Sequence, residues 1–287
     1  MPSSFNPRYD HIVSLVLVVV LGLAVVLIID MNPNILRARL GGDFPTITVS
    51  WVLIAALVAI TATGADLLVR SHPQMQTRTL PTLNLGVTKV ELAPGFWILP
   101  SFSVVGSFAF FRLFNDTLHG ASFVLTLLAT GGILLLVLTS QHYALDRQQP
   151  VRDRSRLILQ TVTYVLAFGC FSAVYFTRFR TLYAATLIST VAVLLSYEIL
   201  QWTPRRGQMS LALIVGLMMG EMTWALNYWS ASFVIGGLLL LVVFYTTVSL
   251  LQHHAAGTLQ RNLLIEYGLL GVGLFLALVY ATFRGSP

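Results

Sequence analysis

Charge is the scarcest commodity in this chain. Only 10% of its 287 residues are charged, against 56% that are hydrophobic, and the mean hydropathy is +0.80. Soluble domains carry roughly 25% charged residues, so an ordinary soluble domain is excluded. Cysteine is nearly absent as well. Cys170 stands alone, which rules out an intrachain disulfide framework and a thiolate metal cluster. Of the 17 basic residues only Lys89 is a lysine; it lies outside the apolar runs, so a retinal Schiff base is excluded too.

The motifs that are missing exclude more. No GxxxxGK[ST] loop cradles phosphates and no HExxH holds zinc. There is no GxSxG nucleophile elbow, no pair of DxxD carboxylates for a diphosphate-bound metal, and no ladder of arginines at every third position. The six histidines, His11, His72, His119, His142, His253 and His254, all fall in loops or at the ends of apolar runs. Haem ligation would need them deep in facing helices. These absences weigh against an enzyme and imply no cofactor.

What the chain does have is apolar length. A hydrocarbon layer about 30 Å thick takes about 20 apolar residues per helix, and runs of that length recur at 11–30, 48–69, 95–113, 120–143, 157–177, 181–202, 209–228, 231–252 and 263–283. The expected fold is all-α: a polytopic integral membrane helical bundle, one transmembrane domain over 1–287 with about nine transmembrane helices. Eight is the alternative, because NYWSAS is a very tight turn between the seventh and eighth runs. The first run is longer than a signal-peptide core and lacks a small-residue cleavage site after it, so it is expected to remain as a span.

The stretch 71–95 stands apart. Pro73, Pro81 and Pro94 forbid a continuous helix. LPTLNLGV alternates as a short strand does, and Gly86 allows a return along TKVEL. An interfacial loop or hairpin between the second and third spans is expected there.

Net charge is +6, placed in short loops. It reads as a topology signal and as contacts with anionic lipid headgroups rather than with nucleic acid. With nine spans, eleven of the 17 basic residues fall on the side of the N-terminus, four of them in DRQQPVRDRSR at 146–156. The positive-inside rule then puts the N-terminus in the cytoplasm and the C-terminus outside, in a multi-pass cell-membrane protein of the bacterial inner-membrane kind.

Ionisable groups inside spans are costly and usually functional. Glu221, in GEMTWALNYW, falls slightly beyond the middle of the seventh run. Trp224 and Tyr228 share its helical face, and Asn227 is close by. These four form the first candidate binding site, with Glu221 expected to face the bundle interior and to be held by hydroxyls of other spans such as Thr126, Ser189 or Tyr164. A second candidate is a polar group at the cytoplasmic span ends: His142 in TSQHY, Glu198 in SYEILQW, His253 in LLQHH and Glu266 in RNLLIEY. Imidazoles and carboxylates on facing helices can build a metal or acid–base site, although a polar helix end also serves solvation alone; the metal is left open.

Two further acids read as structural. Asp66 lies four residues before Arg70, the spacing of a helical ion pair, and Asp30 is expected to reach water at the outer end of the first span. GLMMG at 216–220 is a small-xxx-small face for close helix packing. The function expected is binding or transport of a small molecule or lipid. An accessory subunit of a larger membrane complex is the alternative, and a lipid-modifying enzyme at the cytoplasmic face is the third reading. Expected partners are membrane lipid and a membrane protein or a second copy of the chain.

Overall fold

A computed structural model describes residues 9–31, 37–38, 47–71, 82–84, 89–91, 94–118, 120–146, 148–177, 180–203, 207–229 and 232–285. Among these the architecture is α-helical. The helices are α1 (Tyr9–Met31), α2 (Val49–Arg70), α3 (Ile98–Leu118), α4 (Gly120–Tyr143), α5 (Gln149–Phe176), α6 (Thr181–Leu200), α7 (Gln208–Asn227), α8 (Phe233–Ala256) and α9 (Arg261–Gly285). Among the described residues seven helices, α1, α2 and α4 to α8, are long and apolar enough to cross a membrane. That is the construction of a multi-pass membrane protein.

Two antiparallel ribbons lie outside the helices. The strand β1 (Arg37–Ala38) pairs with β2 (Ile47–Thr48), a ribbon the sequence patterning does not announce. In the proline-rich stretch β3 (Thr82–Asn84) pairs with β4 (Lys89–Glu91), setting Leu83 opposite Val90. The turn around Gly86 lies outside the described residues.

The helix starting at Gln149 departs from the expected boundary of 157, taking in most of the charged stretch 146–156. Pro150 sits in its first turn, where a backbone N–H has no partner to lose and the fixed φ favours the helix.

The chain divides into two compact units, residues 1–159 and 160–287. In the first, α1 packs against α2, α3 and α4. Its core runs through Val19, Leu23, Leu27, Leu57, Val104, Phe108, Phe111 and Leu134. Buried hydroxyls turn back onto their own helices: Thr61 donates to Leu57 O and Thr130 to Thr126 O, at 2.7 and 2.6 Å. Such bonds satisfy the hydroxyl where no water is at hand.

In the second unit α6 and α7 make the most extensive helix contact. A side chain at Gly216 would place its Cβ 3.0 Å from the backbone oxygen of Ser189, so only glycine permits this approach. Ser189 Oγ in turn donates to Gly216 O at 2.8 Å. The GLMMG face is therefore used inside the chain, against α6. Phe171 of α5 and Phe244 of α8 meet edge to face with centroids 5.6 Å apart. Tyr175 donates from its hydroxyl to Leu226 O (3.2 Å) and Trp229 O (2.9 Å), fastening the end of α7. The following helix is separate, with Ser232 capping α8 and Gly257 closing it in the left-handed conformation at φ 71°.

Candidate functional site

The first unit carries a cavity of about 260 Å³ at the end where α1 begins and α2 and α4 finish. Its walls are mostly apolar, with Ile12, Leu68, Val69 and Leu138 prominent, and Ser71, Gln141 and His142 supply polarity. Local sequence explains the mixture. TSQHY ends α4, so the last turn of an otherwise apolar helix places an amide and an imidazole beside each other. At the same end of the unit the Tyr9 and Tyr143 hydroxyls meet at 2.7 Å, fixing the start of α1 to the end of α4.

Gln141 is wholly buried. Its Nε2 donates to Phe96 O at 3.4 Å, a long bond that nevertheless orients the amide, because a carbonyl oxygen can only accept. Its Oε1 is buried without a hydrogen-bond partner. An orphaned buried acceptor carries a desolvation cost of about 1–3 kcal/mol, and here it belongs to a residue lining a cavity. Close to the same helix end Asp66 accepts from Arg70 Nε at 2.5 Å and from Trp97 Nε1 at 3.0 Å. The expected i,i+4 pair is thus present, with an indole added from the start of α3.

At the opposite end of α1, Asp30 does not simply reach water. Its carboxylate takes a two-pronged bond from Arg112, Nε to Oδ2 at 3.1 Å and Nη2 to Oδ1 at 2.9 Å. The guanidinium lies over Trp51 and Phe108, 5.4 and 5.1 Å from their centroids.

In the second unit Glu221, Trp224 and Tyr228 do share one face of α7, but that face is exposed, Trp224 by 56% and Tyr228 by 83%. Asn227 is half-buried beside them. The expectation of an interior carboxylate at 221 is corrected on this point, and the reason lies on the other side of the helix. Ala212, Gly216, Met219, Gly220 and Thr223 turn inward, so the small residues choose the packed face and Glu221 is turned away from it. Neither named hydroxyl of this unit serves it: Ser189 is bound to Gly216, and Tyr164 accepts from Gln160 Nε2 at 3.4 Å. Thr126 belongs to the first unit, buried in α4. Among the described residues the buried acid is Glu198, 1% exposed, in the last turns of α6.

The remaining members of the second candidate are distributed as follows. His142 belongs to the first unit, and Glu198, His253 and Glu266 to the second. His253 sets Nδ1 at 3.1 Å from Thr258 Oγ1 and Nε2 at 3.4 Å from the Tyr267 hydroxyl. Glu266 is on an exposed face of α9. Among the described residues no three of His, Cys, Asp or Glu come together as metal ligands would. A tyrosine cluster gathers near His253 instead, Tyr245 lying 5.3 Å from Tyr164 and 6.2 Å from Tyr267 between centroids.

Sequence reasoning passed over Phe96 and Trp97, whose only signal is an aromatic pair just after Pro94 at a helix start. It noted Gln141 only as one polar residue of a span end.

No curated protein and no solved structure matches the chain. A family model does, over residues 31–281, and so takes in most of both units. The chain belongs to that family, DUF5656, described as a protein of unknown function.

Proposed function

We propose that this protein is a non-enzymatic binding protein of the cell membrane, whose site is the cavity lined by Gln141 and His142. Its ligand is a small hydrogen-bond donor, an ammonium or hydroxyl group, such as a lipid headgroup carries. Gln141 Oε1 is the observation that supports this reading: a fully buried acceptor without a partner, on the wall of a cavity. The volume of about 260 Å³ lies just below the usual ligand range of roughly 300–1,000 Å³. It suits a headgroup, with acyl chains left outside among the exposed apolar side chains of the helices.

In this reading all nine helices span, α3 and α9 included. The N-terminus is cytoplasmic, the C-terminus is outside, and the cavity opens to the inner leaflet. The test is native mass spectrometry of protein extracted in mild detergent, with phosphatidylethanolamine in one arm and free ethanolamine in the other. The wild type should retain the lipid; retention of the free amine alone would identify a soluble solute as the ligand. Gln141→Met should lose the adduct while keeping the fold, and Leu138→Phe should block it by volume alone. Equal adducts in wild type and both variants would refute the cavity as the site.

A further inference from the structure

In the second unit α8 carries a polar stripe. Tyr245, Ser249 and Gln252 follow one another at steps of four and three, on one face of the helix. Tyr245 meets Tyr164 of α5 and Tyr267 of α9, and Gln252 Oε1 accepts from Gln160 Nε2 of α5 at 3.4 Å. Gln160 Nε2 also donates to the Tyr164 hydroxyl at 3.4 Å, so both N–H groups of this amide are engaged. The reciprocal bond that would close the two amides into a ring, Gln252 Nε2 to Gln160 Oε1, is not formed among the described residues. The amide pair is closed on one edge and open on the other. Both residues are half-buried, and the open edge stays reachable from outside.

That edge presents one acceptor, Gln160 Oε1, and one donor, Gln252 Nε2. Its depth narrows what can meet it. Gln160 stands three residues inside the apolar run that begins at 157, and Gln252 ends the run of α8. At 1.5 Å per residue both amides lie within about 5 Å of the hydrocarbon boundary, where an amide without partners is costly. A single hydroxyl satisfies both atoms, since it donates to one and accepts from the other. Neutral amides offer no full charge, so their complement is neutral too. We propose that Gln160 and Gln252 form a second binding site, which takes the free hydroxyl of an uncharged lipid alcohol of the diacylglycerol class. Such a lipid has no phosphate to hold its hydroxyl farther out, so the group lies at the depth of the two amides. The phenol rings of Tyr164, Tyr245 and Tyr267 flank the glycerol and the first carbons of its chains. This inference is independent of the cavity in the first unit.

Native mass spectrometry of the full chain in mild detergent tests it with two probes: dioleoylglycerol, and the same lipid with its hydroxyl acetylated. Wild type should retain the alcohol about tenfold more tightly than the acetate, the worth of one good hydrogen bond. This comparison needs no substitution, so it stands even where a variant folds poorly. Gln160→Leu and Gln252→Leu should each weaken retention of the alcohol by a similar factor and bring it level with the acetate. Equal retention of both probes by wild type would overturn the proposal. So would binding of the alcohol that survives both substitutions but is lost in Gln141→Met, which would assign it to the cavity of the first unit.

Discussion

Arg112 and Asp30 stand 82 residues apart in the chain, yet they form the most complete ion pair among the described residues. The Asp30 side chain is 12% exposed and the Arg112 side chain 37%. Removing the guanidinium leaves a carboxylate nearly out of water, at a cost of about 1–3 kcal/mol, toward the lower end because Arg112 is partly solvated. Arg112→Ala should therefore lower the thermal midpoint in detergent. Arg112→Lys should fall between, since an ammonium keeps the charge but cannot bond in a fork or stack as well on Trp51 and Phe108. This pair was not legible in the sequence. Asp66 and Arg70 could be paired because they are four residues apart on one helix; Asp30 and Arg112 meet only once α1 and α3 are placed side by side. Gln141 was hidden for a similar reason, as a polar residue at a span end looks the same whether it is solvated or orphaned.

For a helix, the legible part is its existence and the illegible part is its orientation. All nine apolar runs correspond to helices, with most ends shifted by a few residues, because length and apolarity suffice to mark them. Which way a helix faces is another matter. In water an apolar stripe reveals the buried side, but lipid is as apolar as a protein core, so α7 carries large apolar residues on its exposed face too. Leu217 is 67% exposed. Small residues are the better guide, since they mark where backbones approach. Gly216→Leu should accordingly break the contact of α6 with α7, overpacking by about 1–3 kcal/mol and showing as poor yield or a lower melting point. Gly132→Ala is the matching control: nothing lies within 4 Å of the added methyl, and the substitution should be neutral or slightly stabilising.

On the scale of the whole molecule, α3 and α9 govern the topology. α3 carries Arg112 and Asp116 near its end, and α9 carries Arg261 and Glu266 in its first two turns. If both cross, a reporter within 146–156 should be cytoplasmic and one after Pro287 outside. If α3 does not cross, the first reporter moves outside. If α9 alone does not, eight spans remain and the second reporter becomes cytoplasmic. Paired reporter fusions, one enzyme active inside and one active outside, distinguish the three. Loop charge supplies an expected orientation, which these fusions test, but it could not supply two units, because nothing in composition marks a boundary that falls within the continuous helix α5.

The lone oxygen of Gln141 also bears on how tightly the molecule holds together. A fold that buries an acceptor without a donor is under-stabilised until something fills the gap. Anything that binds the native state alone raises its stability by RT ln(1 + [L]/Kd), about 2.7 kcal/mol at a hundredfold excess over Kd. Resistance to unfolding then becomes a gauge of occupancy: exhaustive delipidation should soften the first unit, and the compound that restores it names itself without any assay of activity.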